Sequence, residues 1–321
     1  MKAIRVHHFG GPEVLQLETL DPPAITTATQ VLVEIRAAGV NPVDTYIRSG
    51  SYARLPELPY TPGIDGAGVV VAGGADVTQV KVGDRVYGGW PLTGTYAQYA
   101  LYESAWVYPL PDPLTVEQGA CIFVPYSTAH RALFHGAQVQ AGETILIHGA
   151  TGAVGLAAVQ LAVAAGLRVI GTGGSEVGRA LVAQQGADLV LDHHSDTYRT
   201  ELMAATAGQG VHCIIEMLAN VNLGYDLTLL APGGRVVVVG SRGTVTVNPR
   251  ELISRESFVT GVNLFNASPD TLQHTQQALG KGFRSGALRP IVHQVLPLEA
   301  AAQVHGQVLA RGGLGNRVLV P

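Results

Sequence analysis

Residues 143–172, ETILIHGATGAVGLAAVQLAVAAGLRVIGT, constrain the fold more tightly than any other stretch of the chain. Thr144–His148 is a short apolar run of the kind that forms a buried strand. Gly149, Gly152 and Gly155 follow at a spacing of three. Val154–Ala165 is apolar on nearly every side and reads as a buried helix, ended by Gly166. Leu167–Gly171 then reads as a second strand. Strand, glycine turn, helix and strand in this order make a βαβ unit with parallel pairing. The glycines allow a tight turn, a close approach of the backbone to a pyrophosphate, and packing of the helix on the strand. The N–H groups at the helix N-terminus then receive the phosphate. Gly149, Ala150, Thr151, Gly152, Ala153 and Val154 are therefore candidate cofactor-binding residues. The spacing is G-x-x-G-x-x-G rather than G-x-G-x-x-G, and its position between a strand and a helix gives it weight.

The second strand bears on which dinucleotide is bound. An NAD site commonly has Asp or Glu near the end of that strand to hold the ribose 2′-hydroxyl. Here the strand runs into Gly171, Thr172, Gly173, Gly174 and Ser175, and Glu176 comes late. Small residues leave room for a 2′-phosphate, and Arg179 follows. The pattern points to NADPH.

The rest of the chain divides around this unit. The 321 residues suffice for two domains, and 47% hydrophobic against 14% charged residues allows a large core. Residues 1–120 carry strand patterns and turns: Lys2–His7, Gln30–Ala37, Gly66–Ala72, a pair of strands joined at Gly83-Asp84 within 80–87, and Tyr96–Ala100. Pro22–Pro23 and Asn41–Pro42 break any helix there. Residues 129–134 are helical in pattern and begin the crossover between domains. From Glu143 strands and helices alternate, with strands expected at 144–148, 167–171, 188–191, 211–216, 235–240 and 257–264. That is the number in a doubly wound nucleotide-binding sheet. A helix over 269–281, a strand near 291–296, a helix over 298–310 and a short strand at 317–320 follow. This tail is expected to rejoin the first domain. The fold class is thus α/β: a doubly wound, Rossmann-type cofactor domain over 123–265, and a mostly β catalytic domain made of 1–122 and 266–321.

The net charge of −4 gives no support for a polyanion partner. Two cysteines in apolar surroundings, Cys121 and Cys213, read as reduced core residues, and the N-terminus has no signal-peptide h-region, so a cytoplasmic location is expected. The most apolar window, Val154–Gly171, is interrupted by Gln160, Gly166 and Arg168 and reads as helix, turn and strand rather than a membrane span. No G-x-S-x-G, H-E-x-x-H or C-x-x-C occurs.

The chain resembles the zeta-crystallin type of NADPH:quinone oxidoreductase, within the medium-chain dehydrogenase/reductase superfamily. The stretches that carry the likeness are FGGPEVL (9–15), AGVNPVDTYIRSGSY (38–52), PYTPGIDGAG (59–68), GDRV (83–86), HGATGAVGLAAVQLA (148–162), EMLANVNL (216–223), GGRVVVVGSRGT (233–244) and NPRE (248–251). GDRV is shared widely, whereas EMLANVNL and the GSRGT region are narrow markers. Ala153 departs from the pattern, which has Gly there, and fits if its backbone is helical. The resemblance implies a GroES-like first domain. It also implies no catalytic zinc: zinc-dependent relatives carry Cys near Asn41 and a His-Glu pair where this chain reads Gly63-Ile64-Asp65, and a zinc site needs about three protein ligands.

Without a metal, the hydride acceptor must need little Lewis-acid help. Quinones qualify, because reduction gains aromaticity; ortho-quinones are favoured, taking electrons as a hydride or singly. The cofactor carries the chemistry and the protein orients it. By resemblance the catalytic cleft lies at Asn41, Asp44, Tyr46, Arg48 and Tyr52, with Thr128 at the nicotinamide end. Tyr46 either stacks on a flat ring or packs in the core. Asp44 either works in the site or holds Arg48 in an ion pair. Gly240, Ser241 and Arg242 follow a central strand and are expected on the cofactor path. Leu264 and Phe265 are expected to cover the carboxamide with backbone groups. Ser175, Arg179, His193 and Arg311 are assigned to the region of the 2′-phosphate, where an arginine fork is well suited. Gly173 is a cofactor-binding residue that leaves room there. By resemblance His193 stands at an aromatic position and alternatively stacks beside the adenosine. The alternative for each cation is a solvated surface role.

Two other functions stay open: an NADPH-dependent enone or 2-alkenal double-bond reductase, and an RNA-binding or structural crystallin-like protein that retains NADPH. No membrane partner is expected, nucleic acid is not favoured, and a homodimer or homotetramer formed through an edge near 257–264 is expected.

Overall fold

The structure is a computed structural model and describes residues 1–310 and 312–321. The chain divides into two units, residues 1–124 with 280–321, and residues 125–279.

The first unit begins with an antiparallel ribbon of β1 (Lys2–Arg5) and β2 (Gln16–Thr19). The long strand β3 (Gln30–Val40) runs directly into α1 (Pro42–Arg48). Asn41–Pro42 therefore starts a helix, where the sequence pattern had pointed to a break. Proline at the first helical position lacks only an N–H that would have gone unused, and its fixed φ suits the helix. A second correction concerns 80–87. Only β5 (Arg85–Gly88) is a strand; Val82 is exposed, and the Asp84 carboxylate accepts the Lys81 N–H at 2.9 Å, which closes a turn in place of the first strand. Around these lie β4 (Asp65–Gly73), β6 (Tyr99–Glu103), β7 (Val107–Pro109) and the short α2 (Val116–Gly119).

The crossover is α3 (Phe123–His130), extended by a π-helical turn at Arg131–Gly136. The second unit then alternates: β8 (Thr144–Ile147), α4 (Ala153–Ala164), β9 (Arg168–Thr172), α5 (Glu176–Gln184), β10 (Leu189–Leu191), α6 (Tyr198–Ala205), β11 (Val211–Glu216), α7 (Ala219–Leu229), β12 (Leu230–Val238), α8 (Pro249–Arg255) and β13 (Phe258–Gly261). Among the described residues these strands form a six-stranded sheet in the order β10-β9-β8-β11-β12-β13, every pair parallel. The order reverses between β8 and β11, and it is at such a switch point, at the carboxyl ends of the strands, that doubly wound sheets take their ligands. The strand expected over 257–264 is shorter, because Leu264–Asn266 coils into a 3-10 turn.

After α9 (Pro269–Ser285), the tail contributes β14 (Val292–Pro297), α10 (Ala301–Gln307) and β15 (Asn316–Val320). β15 pairs antiparallel with β3, placing Val318 opposite Gly39, and β14 lies parallel beside it. Among the described residues the resulting sheet has seven strands, ordered β14-β15-β3-β4-β5-β7 with β6 on β3. Its core gathers Val33, Ile35, Tyr96, Tyr102, Leu298 and Leu319. The second unit has its own core of Leu146, Ile170, Leu202, Ile214, Leu227 and Val236. Among the described residues, no helix is long and apolar enough to cross a membrane.

A Cβ on Gly155 would lie 2.3 Å from the Gly149 carbonyl oxygen and 2.7 Å from Ala150 Cα, both backbone atoms that cannot step aside. Gly155→Val is expected to destabilise the protein by about 3 kcal/mol, through overpacking that only a backbone shift relieves. Chemical denaturation of the purified variant checks this; a midpoint equal to wild type would contradict it.

Candidate active site

The glycine turn is built to present backbone. Gly149 has φ 58°, in the left-handed region. Its N–H donates to Thr172 Oγ1 at 3.3 Å, and the Ala150 N–H donates to the Thr172 carbonyl, so the turn is tied to β9. Gly152 caps α4 with no side-chain bond. The first-turn N–H groups of the helix, from Ala153 and Val154 onward, are thus left for an external acceptor. Ala153 is the first helical residue, so its Cβ meets no backbone conflict. Thr151 through Val154 are half-buried and Ala150 is buried beneath them. Unfilled N–H groups at a helix N-terminus are the feature that receives a pyrophosphate.

β9 runs into Gly173, Gly174 and Ser175, with no acidic residue at its end. Gly173 is buried and its N–H is held by the Leu191 carbonyl. Ser175 caps α5, its Oγ accepting the Gly178 N–H at 3.2 Å. Arg179 reaches back: its Nη1 donates to the Gly173 carbonyl at 3.3 Å and pairs with Asp192 Oδ2 at 2.7 Å. Arg179 is therefore neither a free surface cation nor uncommitted. It is a guanidinium held in place beside the end of β9. The His193 and His194 rings meet edge to face and cover Gly174, whose absent Cβ would lie 2.6 Å from His194 Nε2. Burial and the neighbouring His194 hold the His193 imidazole below its usual range. Arg311 lies outside the described residues.

Thr128 is half-buried on α3. Beyond β12, Gly240 is half-buried, Ser241 Oγ donates to the Gly243 carbonyl, and the Arg242 N–H donates to Asn220 Oδ1 at 2.8 Å. Leu264 is buried and Phe265 half-buried in the 3-10 turn. The Phe265 N–H is already taken by Asn263 Oδ1 at 3.0 Å, so that amide is committed within the turn.

In the first unit α1 organises the candidate residues. Asp44 and Asn41 form a capping box: Asp44 Oδ2 accepts the Asn41 N–H at 2.8 Å. Asn41 Nδ2 donates to Asp65 Oδ2 at 3.1 Å, and Asp65 Oδ1 accepts the Val124 N–H at 2.9 Å. Asp44 does not pair with Arg48. Its second partner is the Tyr96 hydroxyl at 3.4 Å, which also lies 3.1 Å from His305 Nε2. Asp65, Tyr96 and His305 were missed in the sequence, because no motif links positions so far apart. Burial drives this cluster towards neutral forms. It raises the Asp44 carboxyl to about 7 against the bond from Asn41, lifts Asp65 well above the usual range, and drops the His305 imidazole to about 3. Arg48 is buried, and its Nε and Nη1 have no hydrogen-bond partner among the described residues. Tyr46 and Tyr52 are both half-buried.

Residues 153–279 match the family described as "Zinc-binding dehydrogenase", and residues 27–112 match the "Alcohol dehydrogenase GroES-like domain". The chain is 47% identical over 320 residues to the quinone oxidoreductase of Homo sapiens, covering 100% of this chain and 97% of that protein. It is 48% identical over 321 residues to the quinone oxidoreductase of Sus scrofa, covering 100% and 98%. This chain belongs to the quinone oxidoreductase family of medium-chain dehydrogenases/reductases. The Escherichia coli quinone oxidoreductase, solved in complex with NADPH, superposes with a TM-score of 0.90 at 30% identity over 100% of both chains.

Within this family, the zinc in the broader description finds no fit at Asn41 and Asp65. The donors there are an amide and two carboxyls, without thiolate or imidazole, and both Asp65 oxygens and the Asn41 amide are spent on one another and on Val124.

Arg179→Ala is expected to raise the KM for NADPH by about tenfold while moving that for NADH by less than about twofold, since one charge-assisted phosphate contact is lost. Parallel saturation curves with the two cofactors check this; equal losses with both would contradict the assignment.

Proposed function

We propose that the protein reduces quinones with NADPH, ortho-quinones foremost. The observation that carries the reading is full-length identity approaching one half with proteins named quinone oxidoreductase, joined to a glycine cradle that suits a dinucleotide. Bound NADPH supplies the hydride of nicotinamide C4. The chain's own residues bind, orient and shield.

In this reading the unit of residues 125–279 is the cofactor domain. Gly149, Ala150, Thr151, Gly152, Ala153 and Val154 hold the pyrophosphate, and Ser175, Arg179 and His193 hold the 2′-phosphate, with Gly173 leaving room beside them. Gly240, Ser241, Arg242, Leu264, Phe265 and Thr128 line the path to the nicotinamide. The other unit, residues 1–124 with 280–321, is the catalytic domain. There Tyr46 and Tyr52 are the substrate-side residues, each able to stack on a flat ring and donate a hydroxyl. Asn41 contacts cofactor or substrate and is held by Asp65. Asp44 is a positioning residue that acts through Asn41. Arg48, with two unpartnered guanidinium nitrogens, supplies positive charge near a ring oxygen that gains electron density.

We further propose a cytoplasmic homo-oligomer. Both cysteines are buried free thiols, which suits a reducing compartment. β13 is an edge strand, with Phe258 50% and Val259 38% exposed, and an apolar edge of this kind is suited to pairing across a two-fold axis. A monomer in light scattering would contradict that assembly.

The test is NADPH consumption with and without an ortho-naphthoquinone, with NADH in parallel. Rapid loss of NADPH only when quinone is present supports the reading. NADPH binding without quinone turnover contradicts it, and turnover of an enone instead would assign the protein to double-bond reduction. Tyr52→Phe and Tyr46→Phe are each expected to lower kcat/KM for quinone by about three- to tenfold, with the KM for NADPH little moved.

A further inference from the structure

Outside the groups assigned so far, the second unit holds a buried triad of His148, Glu216 and Asp226, with 3%, 0% and 1% exposure. His148 follows β8 and directly precedes Gly149. Glu216 is the last residue of β11, and Asp226 lies on α7. β8 and β11 are the two strands between which the sheet order reverses. The triad therefore spans the switch point itself, beneath the crevice in which a doubly wound sheet takes its ligand.

Its bonds reach the loops on both sides. His148 Nε2 lies 2.9 Å from Asp226 Oδ1 and 3.7 Å from Glu216 Oε2. Glu216 Oε1 accepts the Leu218 N–H and the Asn222 side-chain amide. The backbone continues the link: the Glu216 carbonyl accepts the Val239 N–H at 2.8 Å, and the Gly240 carbonyl accepts the Ala219 N–H at 2.9 Å. The side-chain cluster thus holds the segment after β11, backbone bonds tie that segment to the one after β12, and His148 adjoins the turn after β8.

Two oxygens are left over. Glu216 Oε2 and Asp226 Oδ2 are fully buried and have no hydrogen-bond partner among the described residues. Two buried carboxylates with unpaired oxygens are costly. A single proton held between them, with an imidazolium beside them, satisfies both oxygens and leaves no net charge. Burial together with the facing Asp226 raises the Glu216 carboxyl to about 7, and the two carboxylates raise His148 despite its burial. The other groups that face the triad are Arg199 of α6, which stacks 3.5 Å above the Tyr225 ring, and His193.

We propose that His148, Glu216 and Asp226 form a proton-sharing clamp that positions the cofactor-binding loops, so that loss of the shared proton weakens dinucleotide binding. Buried as they are, they act as positioning residues. The proposal rests on the NADPH reading above. The sign follows from the chemistry. Both raised groups bind more protons in the clamped form, so the clamp is complete on the acid side of about pH 7 and is lost as pH rises through it.

The experiment measures the Kd of NADPH and of NADH, by fluorescence titration, from about pH 6 to about pH 8.5, for wild type, Glu216→Gln and Asp226→Asn. Each variant carries a permanent N–H donor where the shared proton sits. Wild-type Kd is expected to rise roughly fivefold or more over this range, and both variants are expected to flatten that rise for both cofactors. The difference between wild type and variants is the decisive quantity, because His193 and the cofactor's 2′-phosphate also titrate here, with phosphate near pH 6. Thermal unfolding of the variants at acid pH confirms that they are folded. Parallel pH profiles in all three proteins would overturn the clamp while leaving cofactor binding intact. Failure of wild type to bind NADPH at any pH would instead overturn the functional reading. The three donor atoms lie within 4.8 Å of one another, a spacing that a cation could bridge. Stoichiometric metal in the purified protein, lost with cofactor affinity on chelation, would also overturn the shared proton.

Discussion

Everything in the second unit depends on how closely α4 can approach the turn that follows β8. The Gly155 α-carbon sits where any Cβ would press on the Gly149 carbonyl oxygen. That contact fixes the helix N-terminus over the ends of the parallel strands, with its uncapped N–H groups facing out of the turn. A larger residue would push the helix away, and the positive end of its dipole would move with it. The same packing lets the helix be apolar almost throughout: Leu156 to Ala162 are buried, which explains why its sequence shows no polar face.

The first unit solves a different problem, which is to hold polar side chains in a buried interior. Asn41, Asp44, Asp65 and Tyr96 are all buried and bonded chiefly to one another or to backbone N–H groups. Burial favours the neutral carboxyl over the carboxylate in both Asp44 and Asp65, and the mutual bonds hold the cluster in place. Rigid placement is what hydride transfer to an easily reduced acceptor demands of a protein, because the cofactor brings the reactivity.

The cofactor unit was legible in the sequence because its signals are local. The apolar run 144–148, the glycines at spacing three and the helix after them lie within one βαβ unit, and all strands of its sheet form near their expected places. The edge at 257–264 came out shorter, since Asn263 caps a 3-10 turn that apolar periodicity does not reveal. The first unit was less legible. Asn41–Pro42 served as a helix start because the Asp44 side chain completes a cap three residues on. Asp44 spent its carboxylate on that cap and on Tyr96, and so was unavailable to Arg48. Asp65, Tyr96 and His305 belong to the site region only through pairings across the sheet and from the tail, over separations that no motif spans. Glu216 stood inside a recognised stretch, yet its role at the switch point emerged only with the strand order.

The central claim is that the dinucleotide lies on the glycine turn with its 2′-phosphate at the end of β9. A crystal structure of the protein with NADPH tests this most directly. The pyrophosphate is expected over Gly149–Val154 and the 2′-phosphate beside Ser175, Arg179 and His193. A pyrophosphate bound away from the α4 N-terminus, or a 2′-phosphate pointing away from Arg179, would contradict it.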